Sequence, residues 1–149
     1  MTEHCDAIVI TCMDYRLHRR TGGRDVVGQF VESLGRDCDV ISRGGACQDL
    51  VRPAGAGDPA LLRDLQIAVE RHGVNTIYLL NHENCGAYAD MSFPSRDEEL
   101  TRHWQDLRAA RDLLQRQFPH VRVQMCFAEL APGSHDEYHV IHEPPSESA

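Results

Sequence analysis

Apolar positions along the chain fall into two patterns, short continuous runs and spacings of three or four residues. The runs at 6–13, 38–42, 74–81 and 121–127 have no helical period and predict four strands. Three helices are predicted between them, with apolar positions Val26, Val27, Phe30, Val31 and Leu34; Leu61, Leu65, Ala68, Val69 and His72; and Leu100, Trp104, Leu107, Leu114 and Phe118. Alternating strands and helices predict an α/β fold with a parallel sheet.

Boundary signals support these elements. Gly35 follows the first helix, Asp58 precedes Pro59 at the start of the second, and Ser95 with Glu98 has the pattern of a capping box. Residues 138–142 could form a short fifth strand, which could run antiparallel. The composition of residues 52–58 predicts a loop, and residues 143–149 predict a disordered tail. We therefore expect one domain over residues 1–142.

Composition limits the possible partners. The 149 residues carry a formal net charge of −8, which argues against a nucleic-acid backbone or an anionic membrane as main partner. All 15 basic residues are Arg, so chemistry that needs a lysine, such as a Schiff base or a P-loop, is excluded. No apolar run near the N-terminus has the length of a signal peptide or a membrane span, and we expect a cytoplasmic protein.

Six Cys and nine His make a metal site the first chemistry to consider. The first strand ends at Cys12, and the third ends in the run His82-Glu83-Asn84-Cys85. One ion can bind Cys12, His82 and Cys85 only if these two strands are neighbours, which predicts the strand order 2-1-3-4. A Cys₂His set suits Zn²⁺ and leaves a fourth position open, as in catalytic sites. Alternatively, these are merely buried residues at strand ends.

Asp14 and Arg16 follow Cys12 at alternate positions and are expected to share its face. An arginine that clamps Asp14 would keep it ionised and available to accept a hydrogen bond from zinc-bound water or hydroxide. Without that clamp, Asp14 could become the fourth zinc ligand. The remaining alternative is an ordinary surface ion pair.

These motifs resemble those of the β-class carbonic anhydrases. Cys12-Met13-Asp14-Tyr15-Arg16 is similar to the family's C-x-D-x-R, and His82-Glu83-Asn84-Cys85-Gly86 to its H-x-x-C-G. Ser42-Arg43-Gly44-Gly45-Ala46 resembles its R-N-A-G turn. The resemblance implies a three-layer α/β/α sandwich with a mostly parallel sheet. It also implies zinc on Cys12, His82 and Cys85, an Asp14–Arg16 dyad, and a homodimer or multiple of dimers.

The chain departs from the family pattern in three respects. Tyr15 replaces a small residue, the turn at 43–46 is altered, and the long N-terminal helices of larger members are not expected here, because the first predicted strand begins within the first ten residues. We expect other segments to cover the site at a dimer interface, either Trp104 of the long helix or the loop that carries Tyr88, Met91 and Phe93.

The expected activity is reversible hydration of CO₂ to bicarbonate by zinc-bound hydroxide. The backbone N–H groups of Gly44 and Gly45 are candidates for binding a bicarbonate oxygen. A related zinc hydrolase acting on COS or CS₂, and a non-catalytic zinc-binding protein of the same fold, are the alternatives. A nucleotide-binding domain is disfavoured because no G-x-G-x-x-G or P-loop motif is present.

Overall fold

The sheet follows from the buried runs of the sequence. The computed structural model of the protein describes residues 3–52 and 58–142, so the predicted tail at 143–149 and most of the predicted loop at 52–58 lie outside the described residues. The sheet has the order β2-β1-β3-β4-β5. Its strands are β1 (Ala7–Thr11), β2 (Cys38–Ser42), β3 (Thr76–His82), β4 (Arg122–Leu130) and β5 (Tyr138–Ile141). The predicted order 2-1-3-4 is confirmed.

The fifth strand is also confirmed and is antiparallel to β4. Leu130 pairs with Tyr138, and Phe127 with Ile141. This pairing explains why β4 continues three residues beyond the predicted end at 127. The local sequence there has no continuous apolar run, so the extension depends on a partner strand that arrives later in the chain.

Helices cover both faces of the sheet. Tyr78 of β3 contacts the ring of Phe30 in α1 (Val26–Leu34). Asn81 lies three residues further along β3, and therefore on the opposite face, where it contacts His103 of α4 (Arg96–Gln117). β1 and β3 are buried along their whole length, as expected for central strands covered on both faces. The three-layer α/β/α arrangement is thus confirmed.

The predicted caps explain where the helices begin and end. Asp58 accepts from the backbone N–H of Ala60 and Leu61 at the start of α3 (Pro59–Arg71). Ser95 accepts from the backbone N–H of Glu98 at the start of α4, and Gly35 ends α1 with a φ of 63°. The short helix α2 (Gln48–Val51) and the 3-10 helices Tyr15–Leu17 and Gly86–Met91 were not predicted, because segments of three to six residues show no helical period.

Two residues expected to cover a partner's site are instead part of this chain's own core. Trp104 packs on Phe127, and Tyr88 donates a hydrogen bond to Asp106. Both are buried within the chain. Their apolar spacing indicated burial correctly but could not distinguish a core position from a subunit contact. In the described part of the chain, no helix combines the length and apolar character that a membrane span needs.

The packing of α4 on the sheet gives a first prediction. Leu107 is fully buried on the face of α4 that meets the sheet, whereas Gln105 of the same helix is exposed. Leu107→Ala should lower the free energy of unfolding by about 2–5 kcal/mol, because it leaves a cavity in the core. Gln105→Ala is the control and should change it by less than about 0.5 kcal/mol. Urea unfolding followed by circular dichroism measures both; equal stabilities would contradict the packing described.

Candidate metal centre

Three potential metal ligands meet where β1 and β3 end. Cys12 directly follows β1, His82 is the last residue of β3, and Cys85 lies in the turn beyond it. Their ligand atoms all lie within 4.8 Å of one another, and the two Sγ atoms are 3.9 Å apart. All three residues are buried. The parallel pairing of β1 with β3 brings the two motifs together.

The ring of His82 is oriented so that one nitrogen faces the thiols. Its Nδ1 lies 2.9 Å from the carbonyl oxygen of Glu83 and 3.3 Å from the hydroxyl of Tyr138. Since a carbonyl can only accept, Nδ1 carries the proton and Nε2 carries the lone pair. Nε2 is buried and has no hydrogen-bond partner among the described residues. A buried lone pair of this kind beside two thiols fits a Zn²⁺ ligand set.

The two thiols affect each other's acidity in opposite directions. The hydrogen bond from the Cys85 thiol lowers the pKa of Cys12 against the opposing effect of burial, and the backbone N–H of Gly45 lowers it further. The same interaction raises the pKa of Cys85. The acidity of Cys12 favours its ionised form, which a divalent ion requires of a thiol ligand.

Asp14 and Arg16 form a bidentate ion pair beside the three ligands. Arg16 Nη2 lies 2.7 Å from Asp14 Oδ2, and Arg16 Nε lies 3.0 Å from Oδ1. Burial alone would raise the pKa of Asp14, but the hydrogen bonds from the side chain and backbone of Arg16 outweigh it and the pKa is lowered. Asp14 Oδ2 is 3.8 Å from His82 Nε2. The carboxylate is thus ionised and close to the ligand set.

Arg16 also links Asp14 to two other segments. Its Nη1 donates to Asn84 Oδ1 at 3.1 Å and to the carbonyl of His135 at 2.9 Å, and its Nη2 donates to the carbonyl of Asn84 at 2.9 Å. Asn84 lies in the turn between His82 and Cys85. The guanidinium therefore sets the position of Asp14 relative to the second pair of ligands, and this is more than an isolated surface ion pair would do.

The glycine turn after β2 packs against the ligands. Gly45 has a φ of 78°, and a Cβ there would lie 2.9 Å from the Cβ of Ala87, so a side chain fits neither the conformation nor the space. Its backbone N–H helps to lower the pKa of the Cys12 thiol. Gly44 is more open, since a Cβ there would meet only the terminal methyl of Met13, at 3.6 Å. Gly44 thus lies beside Met13, the residue after Cys12, and Gly45 beside Ala87, two residues after Cys85.

Sequence reasoning missed the residues that hold the His82–Cys85 turn in place. Glu83 is buried and accepts from the backbone N–H of Leu130. Glu99 of α4 accepts from the backbone N–H of Asn84 at 2.6 Å. Asn84 has a φ of 61°, and the preference of Asn for this region was a signal that could have been used. Tyr138 gave no local signal, because its role depends on the pairing of β5.

The fold and the Cys₂His cluster define an α/β protein with a potential metal site at the carboxyl ends of parallel strands. Residues 2–132 match the sequence model of the family described as "Putative carbonic anhydrase", and the chain belongs to that family. It is 28% identical over 123 residues to an uncharacterized protein of Rickettsia bellii, covering 78% of this chain and 71% of the relative. An uncharacterized protein of Rickettsia conorii is 27% identical, with 78% and 63% covered.

Solved structures of carbonic anhydrases share the fold at low sequence identity. The enzyme of Streptococcus mutans superposes with a TM-score of 0.59 at 18% identity, covering 96% of this chain and 84% of that chain. The β-carbonic anhydrase isoform I of Trichomonas vaginalis gives 0.57 at 15%, with 95% and 85% covered. A tetrameric β-carbonic anhydrase of Sordaria macrospora gives 0.62 at 13%, with 94% and 81% covered.

The contact between His82 and Tyr138 gives a second prediction. Tyr138→Phe should weaken zinc binding by about tenfold, since the hydroxyl helps to orient His82 and the carbonyl of Glu83 remains as the other partner. The aromatic ring, which lies under the Arg16 guanidinium, is kept. Competition with a zinc chelator measures the change.

Tyr78→Phe is the matched control. It removes a hydroxyl from β3 that contacts Arg36, away from the metal ligands, and zinc affinity should not change. Equal zinc affinity of Tyr138→Phe and the parent would show that Tyr138 does not orient His82.

Proposed function

We propose that the protein is a zinc enzyme that catalyses the reversible hydration of CO₂ to bicarbonate. Zinc bound to Cys12, His82 and Cys85 would supply a hydroxide nucleophile at neutral pH, because it lowers the pKa of a coordinated water to about 7. The main support is the position of Asp14. Its Oδ2 lies 3.8 Å from His82 Nε2, and both of its carboxylate oxygens accept hydrogen bonds from Arg16. The family supports the same activity.

Asp14 and Arg16 have separate tasks in this proposal. Asp14 is ionised and accepts the hydrogen bond of the nucleophile at Oδ2, which directs a lone pair of that nucleophile toward CO₂. Arg16 keeps the carboxylate ionised and restricts its movement through the contacts to Asn84 and His135. Asp14, Tyr15 and Arg16 line an open depression together with residues 133–136, which gives CO₂ a route to the dyad.

The glycine turn supplies backbone groups at the same site. The N–H of Gly45 helps to lower the pKa of the Cys12 thiol, one of the proposed ligands. We assign the binding of a bicarbonate oxygen to the neighbouring N–H of Gly44, where the backbone is open to an approaching ligand.

The Arg16 clamp also bears on the non-catalytic alternative. Asp14 is not among the side chains whose ligand atoms all lie within 4.8 Å of one another, and its Oδ2 already accepts a hydrogen bond from Arg16 Nη2. The geometry therefore favours a solvent-occupied fourth position. COS and CS₂ require the same nucleophile, so both are tested as substrates beside CO₂.

The dyad gives the third prediction. Arg16→Ala and Asp14→Asn should each bind as much zinc as the parent but lower the rate of CO₂ hydration by about 10²-fold or more, because the orienting group is lost while the ligands are unchanged. Stopped-flow hydration and metal analysis of the same samples measure both quantities. If Arg16→Ala hydrated CO₂ at a rate within about twofold of the parent, Asp14 and Arg16 would be an ordinary surface ion pair without a role in catalysis.

Cys12→Ser is the control for this experiment. It removes a ligand, so the zinc of this centre and the activity should both be lost. Parent protein with less than about a tenth of an equivalent of zinc would contradict the metal site itself. Turnover of COS or CS₂ with no hydration of CO₂ would replace the proposed substrate and leave the site assignment intact.

We also propose a homodimer or a multiple of dimers, with the sites near the interface. Met13 and Tyr15 flank Asp14 and are 67% and 71% exposed, so two large apolar side chains face solvent at the rim of the site. The tetrameric assembly of the Sordaria macrospora enzymes supports this proposal. All six cysteines are free thiols, which favours a reducing compartment, and we propose the cytoplasm.

The exposed pair gives the fourth prediction. Tyr15→Glu should weaken self-association by at least about tenfold, since burying a carboxylate in a subunit contact carries a large desolvation cost. Ile67→Glu, at an exposed position on α3, is the control and should leave association unchanged. Sedimentation velocity at micromolar concentration measures both. A parent protein that is monomeric and fully active under these conditions would contradict the dimer.

A further inference from the structure

A second cluster of potential metal ligands lies at the opposite end of the strands from the first. Cys5 precedes β1, Asp39 is the second residue of β2, and His72 caps the end of α3. The primary ligands follow the carboxyl ends of strands, whereas this cluster lies near their amino ends. Seven residues of extended chain separate Cys5 from Cys12, so the two sites are about 20 Å apart. They share no residue.

The geometry of the three side chains matches a small coordination site. Their ligand atoms lie within 4.8 Å of one another, and His72 Nδ1 is 2.6 Å from Asp39 Oδ2. A tetrahedral ion with bonds of 2.0–2.3 Å holds its donors about 3.3–3.8 Å apart. Small side-chain rotations are therefore enough to admit an ion. The backbone already fixes the arrangement, because the N–H of Cys5 donates to the carbonyl of His72 at 3.0 Å.

The charges of the cluster favour a cation. Burial raises the pKa of the Cys5 thiol, and the Asp39 carboxylate next to it adds to this effect. An ionised Cys5 beside Asp39 would bring two negative charges together, and a divalent ion removes that repulsion. An ordinary ion pair between His72 and Asp39 needs no thiol within 4.8 Å of both.

We propose that Cys5, Asp39 and His72 form a second site for a borderline divalent ion of the Zn²⁺ class. One sulfur, one nitrogen and one oxygen donor suit Zn²⁺ or Co²⁺, whereas Mg²⁺ and Ca²⁺ require oxygen ligands. Solvent takes the fourth position, since the side chains of His72 and Asp39 are 32% and 31% exposed. The bound ion joins the segment before β1 to β2 and to the end of α3, so it stabilises the fold. This site is independent of the proposed function.

Cobalt titration of the intact chain tests the second site directly. The parent should bind about two Co²⁺ per chain, and Cys5→Ser about one. Because the primary site contributes two of the three thiolates, Cys5→Ser should lose about one third of the sulfur-to-cobalt charge-transfer absorption. Cys12→Ser should retain the second ion. The second readout is the melting temperature. Adding Zn²⁺ should raise the melting temperature of Cys12→Ser, which keeps the second site, but not that of the double variant Cys5→Ser, Cys12→Ser.

Cys38→Ser is the matched control. Cys38 is also a partly buried thiol near Cys5, and it donates to the carbonyl of Arg36 as Cys5 donates to that of Ala7, but it is not one of the three ligands. It should bind two ions like the parent. The second site would be overturned if Cys5→Ser bound as many Co²⁺ ions as the parent. It would also be overturned if the parent bound only one Co²⁺ and Cys12→Ser lost all of the charge-transfer absorption. Neither result depends on whether the protein hydrates CO₂.

Discussion

The parallel pairing of β1 with β3 is the constraint on which the candidate active site depends. Thr11, the last residue of β1, pairs with Leu80, two residues before the end of β3, so Cys12 and His82 lie close together at the carboxyl ends of the two strands. Cys12 and His82 come from segments about seventy residues apart, yet this register alone sets the separation of their ligand atoms. β2 lies outside β1, so the chain order reverses between β1 and β3. That is the position where open α/β sheets bind their ligands.

A second level of organisation comes from hydrogen bonds that converge on the two motifs. Arg16 contacts Asp14, Asn84 and His135 and so ties the first motif to the second. Glu99 holds the turn from the side of α4, and Tyr138 holds His82 from β5. Each of these groups is fixed by a different element. The ligands are therefore positioned before any ion binds, which lowers the conformational cost of binding.

The sequence was most informative where an interaction is local or where chemistry restricts topology. The caps at Asp58 and Ser95 are local, so their residue types sufficed to predict them. The strand order followed from requiring Cys12 and His82 to share an ion. In contrast, Tyr138 and Glu99 act across the fold, and nothing within their own segments marks that role. Trp104 shows the same limit, since its apolar character fitted both a subunit contact and the core position that it occupies.

The balance of charge at the metal centre explains why the arginine belongs to the site. Cys12 and Cys85 as thiolates, together with Asp14, would carry three negative charges in a largely buried space. A divalent ion and the Arg16 guanidinium offset them, which leaves the centre neutral before a nucleophile or an anionic product arrives. Without the guanidinium, the residual negative charge would oppose both the loss of a proton from water and the binding of bicarbonate. Arg16 is thus part of the electrostatics of the metal site as well as the group that positions Asp14.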